Sequence, residues 1–137
     1  MTKIKYDANL MKIISIFESI TGAKLKDCIL NERLVFIVEE NEIGKAIGKR
    51  GINIKRLENM LKKKIRVVEF NHDILQFIKN LLYPLQIANI ENNDGLITIT
   101  GPDTKTKALI IGRNKQNLNN LIEVVKRYFN VKDIKVV

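Results

Sequence analysis

Apolar residues change period along this chain, and each change marks an element. Across residues 7–21, Leu10, Ile13, Ile14 and Phe17 recur at i, i+3, i+4 and i+7, the spacing of a helix with one buried stripe. Asp7 is placed to cap its start and Gly22 its end. Two short runs rich in branched residues follow, Leu25–Leu30 and Leu34–Val38, and Asn31-Glu32-Arg33 between them predicts a hairpin. A short helix from about Asn41 or Glu42 should lead into the glycines at 48 and 51. Beyond them Ile54, Leu57 and Leu61 line the inward side of another helix and leave Lys55, Arg56, Lys62 and Lys63 to solvent. Residues 65–70 then predict a strand.

The same order returns in the second half. Residues 73–82 carry a helical stripe of Ile74, Phe77, Ile78 and Leu81, which Pro84 prevents from continuing. Residues 85–90 and Leu96–Thr100 predict paired strands around Asn92-Asn93-Asp94-Gly95, residues that tolerate positive φ. A helix over 103–110 runs into Gly112-Arg113-Asn114-Lys115, and Leu118, Leu121, Ile122 and Val125 give the next helix its core face. Residues 133–137 close as a strand. Gly48 and Gly112 stand 64 residues apart, close to half of the 137-residue chain, so two copies of one unit are expected, over residues 1–70 and 71–137. No Ser-, Gly- or Pro-rich linker parts them, and so short a join argues against freely tumbling units.

A hydrophobic share of 45% with 28% charged residues is that of a globular protein, neither disordered nor fibrous. No apolar run approaches the ~20 residues of a membrane helix. The opening Met1-Thr2-Lys3-Ile4-Lys5-Tyr6 lacks the apolar core of a secretory signal, so a cytoplasmic location is expected. The lone Cys28 excludes an internal disulfide, and beside Ile29 and Leu30 it reads as a small buried hydrophobe rather than a reactive thiol.

Charge changes the picture more. The net charge is +9, and residues 45–66 hold nine basic side chains against one acid, Glu58, a local +8. A solvated lysine face normally mixes signs, and this one does not. One-signed charge at this density favours a polyanion, because each neutralised phosphate releases condensed counterions. An acidic membrane surface would suit the charge too, but the apolar residues of the window fit a folded core better than an interfacial anchor. Residues 105–127 carry Lys105, Lys107, Arg113, Lys115, Lys126 and Arg127 against Glu123, a weaker +5.

The chemistry concentrates in Ile47-Gly48-Lys49-Arg50-Gly51-Ile52. Glycines bracketing two cations between helices let the backbone approach a phosphate unobstructed. N–H groups at the next helix start, helped by its dipole, can donate to the anion. Enzyme readings do not fit. A nucleotide-binding P-loop needs four residues between its glycines and Ser or Thr after its lysine. Gly44 and Gly48 enclose three, and Arg50 stands in the metal-ligand place. His72 is the only histidine, which removes paired-histidine sites, and near a helix start it suits a capping or surface role. Glu39 and Glu40 should face opposite sides of an extended segment, and with Glu42 they suit a helix start better than acid–base chemistry. With no tryptophan, the aromatic strand signature of an RRM is missing.

An aliphatic residue, Gly-x-x-Gly and spaced aliphatics on the next helix, here Ile47, Gly48, Gly51, Ile54 and Leu57, resemble the KH signature. In that family the loop clamps about four single-stranded nucleotides. The second copy supplies Gly112, Arg113, Asn114 and Lys115, with lysine where the motif has glycine. That side chain either obstructs the backbone approach or adds a phosphate contact of its own, so scaffold and RNA contact both stay open for this loop. With helix and hairpin ahead of each loop, the order resembles two type II KH domains. The resemblance implies an α+β fold, each domain a three-stranded mixed sheet with helices packed on one face. Two such domains in so short a chain look like an archaeal NusA-type transcription factor. That likeness implies elongation or termination of transcription, no cofactor, and single-stranded RNA, the nascent transcript, as partner beside RNA polymerase. The RNA contacts it implies are Ile47, Gly48, Lys49, Arg50, Gly51, Ile52, Ile54, Lys55 and Arg56, with Gly112, Arg113, Asn114 and Lys115. A ribosomal or ribosome-assembly KH protein, and a protein–protein scaffold built on degenerate KH folds, are the alternatives.

Overall fold

The computed structural model describes residues 8–30 and 33–137. The expected Asp7 cap and the hairpin residues Asn31 and Glu32 lie outside them. The chain divides into two compact units that part between Asn71 and His72.

The first unit runs α1 (Ala8–Thr21), β1 (Leu25–Leu30), β2 (Leu34–Val38), α2 (Ile43–Ile47), a 3₁₀ turn (Lys49–Gly51), α3 (Ile52–Leu61) and β3 (Ile65–Glu69). β2 is the central strand, antiparallel to β1 and parallel to β3, so the sheet is mixed. Alternate residues of β2, Leu34, Phe36 and Val38, meet the helical stripes of Leu10, Ile13 and Phe17 from α1, Ala46 from α2 and Leu57 from α3. The Phe17 and Phe36 rings stack at 4.2 Å between centroids. Cys28 joins this core fully buried, and desolvation, then the neighbouring Asp27 charge, pushes its thiol up to about 12. Gly22 ends α1 at φ 65, its N–H donating to the Glu18 carbonyl at 2.9 Å.

The second unit repeats the plan as α4 (Ile74–Leu82), β4 (Asn89–Asn93), β5 (Leu96–Thr100), α5 (Thr104–Ile111), a 3₁₀ turn (Arg113–Lys115), α6 (Gln116–Lys126) and β6 (Asp133–Val136). β5 is central, antiparallel to β4 and parallel to β6. Ile97 and Ile99 of β5 meet Ile78, Ile110, Leu118, Leu121 and Val125 from the helices. Asp73 caps α4 through the Leu75 N–H at 3.0 Å, and Asp103 caps α5 through the Thr106 N–H at 2.7 Å.

One strand lies four residues from its expected place at its start. β4 begins at Asn89 rather than 85, and Asn92 and Asn93 pair with Ile97 and Leu96 instead of forming the turn. The reason is turn chemistry. Asp94 and Gly95 alone take positive φ, 52 and 90, which closes a two-residue hairpin and fixes the register from that end. Asn92 Oδ1 accepts the Gly95 N–H at 2.9 Å. Leu85 and Ile87, whose alternation suggested a strand, pack on the core from the segment ahead of β4. Glu39 and Glu40 likewise fall just past β2, not within an extended strand.

No described helix is long and apolar enough to cross a membrane.

Candidate nucleic-acid interface

α2 stops because the chain leaves the helical path at Gly48. The Gly48 N–H still donates to the Gly44 carbonyl at 2.9 Å, but its φ of 77 and ψ of 171 belong to a region open essentially to glycine alone. Arg50 and Gly51 follow in the left-handed region, at φ 56 and 74. The Gly51 N–H returns to the Gly48 carbonyl at 3.1 Å and that of Ile52 to Lys49, which closes the 3₁₀ turn. α3 then begins with its dipole and its remaining first-turn N–H groups at the loop.

Around this backbone Lys49 and Arg50 are exposed, as are Lys55 and Arg56 on α3 and the Lys62–Lys64 turn beyond it. Ile47 and Ile52 flank the loop with 38% and 45% of their surface open to solvent, so an aliphatic surface adjoins the cations. Ile54 is set apart from them, packing against the unit's core. Arg66 is also apart, half-buried in β3, and desolvation, then Arg33, lowers its pKa from the usual arginine value.

The acids near the loop are tied down. Glu58, the one acid among residues 45–66, accepts the Ile65 N–H at 3.2 Å and so joins α3 to β3 across the lysine turn. Glu42, just ahead of α2, accepts the Lys24 N–H at 2.7 Å and lies 3.5 Å from Lys45 Nζ. The Lys24 N–H, and after it the Lys45 charge, hold the Glu42 carboxyl below its ordinary range. Glu69 accepts the Asn41 N–H at 2.6 Å, steadying the turn that enters α2.

The second loop has the same backbone. Gly112 lies at φ 75 and ψ 173, Asn114 at φ 54 and Lys115 at φ 60, so lysine takes the left-handed place that Gly51 fills in the first unit. Arg113, Asn114 and Lys115 are all exposed.

One pair of residues escaped the sequence reading. Asn53 Nδ2 donates to the Lys45 carbonyl at 2.8 Å, and Asn117 Nδ2 to the Leu109 carbonyl at 3.0 Å. The signal was available: in both copies an asparagine stands five residues after the loop's first glycine.

The chain is similar to known proteins over nearly its whole length. The KH domain family matches residues 12–79, a span that contains the first loop. A probable transcription termination protein NusA of Methanococcus vannielii is 34% identical over 98% of this chain and 80% of its own length. Its namesake in Methanocaldococcus jannaschii is 30% identical over the whole of this chain and 77% of its own length. The crystal structure of APE1850, also 34% identical, superposes with a TM-score of 0.70 over 93% of this chain and 96% of that one. With the repeated mixed sheets and the glycine loop between α2 and α3, these matches show that the chain belongs to the archaeal NusA-like family of KH proteins.

Proposed function

We propose that this chain is a cytoplasmic RNA-binding transcription factor that takes single-stranded RNA, the nascent transcript, on its two KH units, residues 1–70 and 71–137. It acts in elongation or termination, with RNA polymerase as its protein partner. The observation that carries this reading is the loop from Gly48 to Gly51. Its two half-buried glycines bracket two exposed cations just ahead of a helix start, with Lys55 and Arg56 exposed on the helix that follows. Phosphates would meet main-chain N–H groups and formal charge at one place, and the exposed Ile47 and Ile52 would give the bases an aliphatic surface. The names of the relatives, probable transcription termination proteins, support transcription over ribosome assembly.

Titration of the full chain with single-stranded and duplex RNA tests this reading. Single strands should bind more tightly, and the K49D/R50D variant should lose most of that affinity while circular dichroism stays unchanged. Removing two phosphate contacts should also flatten the log–log salt dependence by about 1.4, at ~0.7 per contact on single strands. Wild-type affinity in the variant, or a preference for duplex, would sink the proposal. Crosslinked RNA recovered from cells decides the target class: nascent transcripts are expected, and ribosomal RNA alone would overturn the assignment to transcription.

A further inference from the structure

We infer that Asn53 and Asn117 are positioning residues that set the two loops in their RNA-ready shape before any ligand arrives; this rests on the RNA reading above. The helix ahead of each loop is missing a rung at its end. In α2 the Gly48 N–H completes the ladder to the Gly44 carbonyl. The next carbonyl, that of Lys45, would take the N–H of residue 49, but the chain departs from the helix at Gly48. Asn53 Nδ2 supplies that hydrogen bond instead, at 2.8 Å. In the second unit the Gly112 N–H donates to Ala108, and Asn117 Nδ2 serves the next carbonyl, that of Leu109, at 3.0 Å.

The first glycine of each loop is what gives the amide room. A Cβ at Gly48 would lie 2.8 Å from both Cγ and Nδ2 of Asn53, and one at Gly112 would lie 2.6 Å from Asn117 Cγ. Glycine and asparagine therefore form one device: the glycine turns the chain off the helix, and the asparagine crosses the vacated space to bind the helix end. Each bond spans eight residues and ties the helix before the loop to the helix after it. The intervening turn is then held open, with its cations outward, by contacts that include no RNA. Preorganisation of this kind raises affinity by lowering the ordering cost of binding.

A positioning role has a signature distinct from charge. In the full-length protein, Asn53→Ala should weaken binding of a single-stranded oligouridylate about fivefold, the effect of one hydrogen bond. The salt slope should stay unchanged, because no cation is removed. In the RNA-free protein the Gly51 and Ile52 amides, which close the 3₁₀ turn, should exchange with solvent about tenfold faster while core amides keep their rates. Asn117→Ala should do the same at Lys115 and Gln116, and it carries the test if Asn53→Ala fails to fold. Unchanged loop exchange in the folded variant, or unchanged affinity beside a binding wild type, overturns this inference alone. A wild-type protein that does not bind oligouridylate or any other single strand overturns the RNA reading and this inference with it.

Discussion

Gly51 and Lys115 occupy the same left-handed turn, at φ 74 and 60, although only one of them is glycine. A left-handed lysine costs about 1–2 kcal/mol relative to ordinary backbone, yet the two loops agree within a few degrees at their first glycine. The difference separates what makes the loop from what decorates it. Gly48 and Gly112 are demanded twice over, by a φ and ψ that side chains avoid and by an asparagine amide lying where a Cβ would go. Gly51 is demanded only by its φ, since a Cβ there would meet nothing within 4 Å. In this chain the second glycine of the motif is thus a matter of backbone strain, while the first is a matter of architecture.

The comparison is tested most severely by charge reversal of each loop separately. K49D/R50D should weaken single-stranded RNA binding by well over tenfold, and R113D/K115D by only a few fold, on the order of one exposed charge pair. The ranking follows from the denser one-signed charge of residues 45–66 and from the Ile52 side chain, whose counterpart 64 residues on is Gln116. A larger loss from the second-loop variant would invert the comparison. Equal losses would mean that the cations of the two loops contribute alike, whatever the charge density around them.

Exchanging the odd residue sharpens the point at smaller scale. Gly51→Lys should cost about 1 kcal/mol in urea denaturation, from left-handed strain partly offset by a stiffer unfolded chain. Lys115→Gly should return a similar or smaller amount. Both variants should keep the loop amide resonances of the folded state. A loss above roughly 3 kcal/mol for Gly51→Lys would show that Gly51 is wanted for more than its φ.

These contrasts indicate which parts of the molecule could be read from residues alone. Helices were legible because their stripes are long: Leu10, Ile13 and Phe17, or Leu118, Leu121 and Val125, leave little choice of face. The glycine loop's place was legible because the same order of elements leads to Gly48 and, 64 residues on, to Gly112. The β4 register was not, because Leu85 and Ile87 mimic strand alternation while Asp94 and Gly95 alone suffice for the turn. Glu58 looked like a charge opposing the basic window, whereas its carboxylate is directed to a backbone N–H, a role that needs the α3–β3 geometry to be seen. Asn53 and Asn117 were hidden for a similar reason. Asparagine is common on helix surfaces, and its meaning here depends on the chain having left the helix five residues earlier.

The smallest expected effect compares how the helix ahead of each loop is anchored. Asp103 caps α5 from within, accepting the Thr106 N–H three residues on. Glu42 reaches outward from the start of α2 to the Lys24 N–H between α1 and β1, whose carbonyl in turn accepts the Glu39 N–H at 2.9 Å. Backbone N–H donation lowers both carboxyl pKa values, and a depressed folded value fixes the sign. The stabilisation is present above the ordinary carboxylate range, about pH 4, and is lost as pH falls through the lower folded values. Acid should therefore act locally in the second unit and at a distance in the first. In an NMR titration the Thr106 amide should shift with little change outside the first turn of α5. The Lys24 amide, 18 residues from the carboxylate in sequence, should shift together with Glu42. Glu42→Gln should remove the Lys24 inflection and leave that of Thr106 intact. A Lys24 amide that does not respond as Glu42 protonates would mean that α2 is anchored by its apolar contacts alone, through Ile43 and Ala46 on the core.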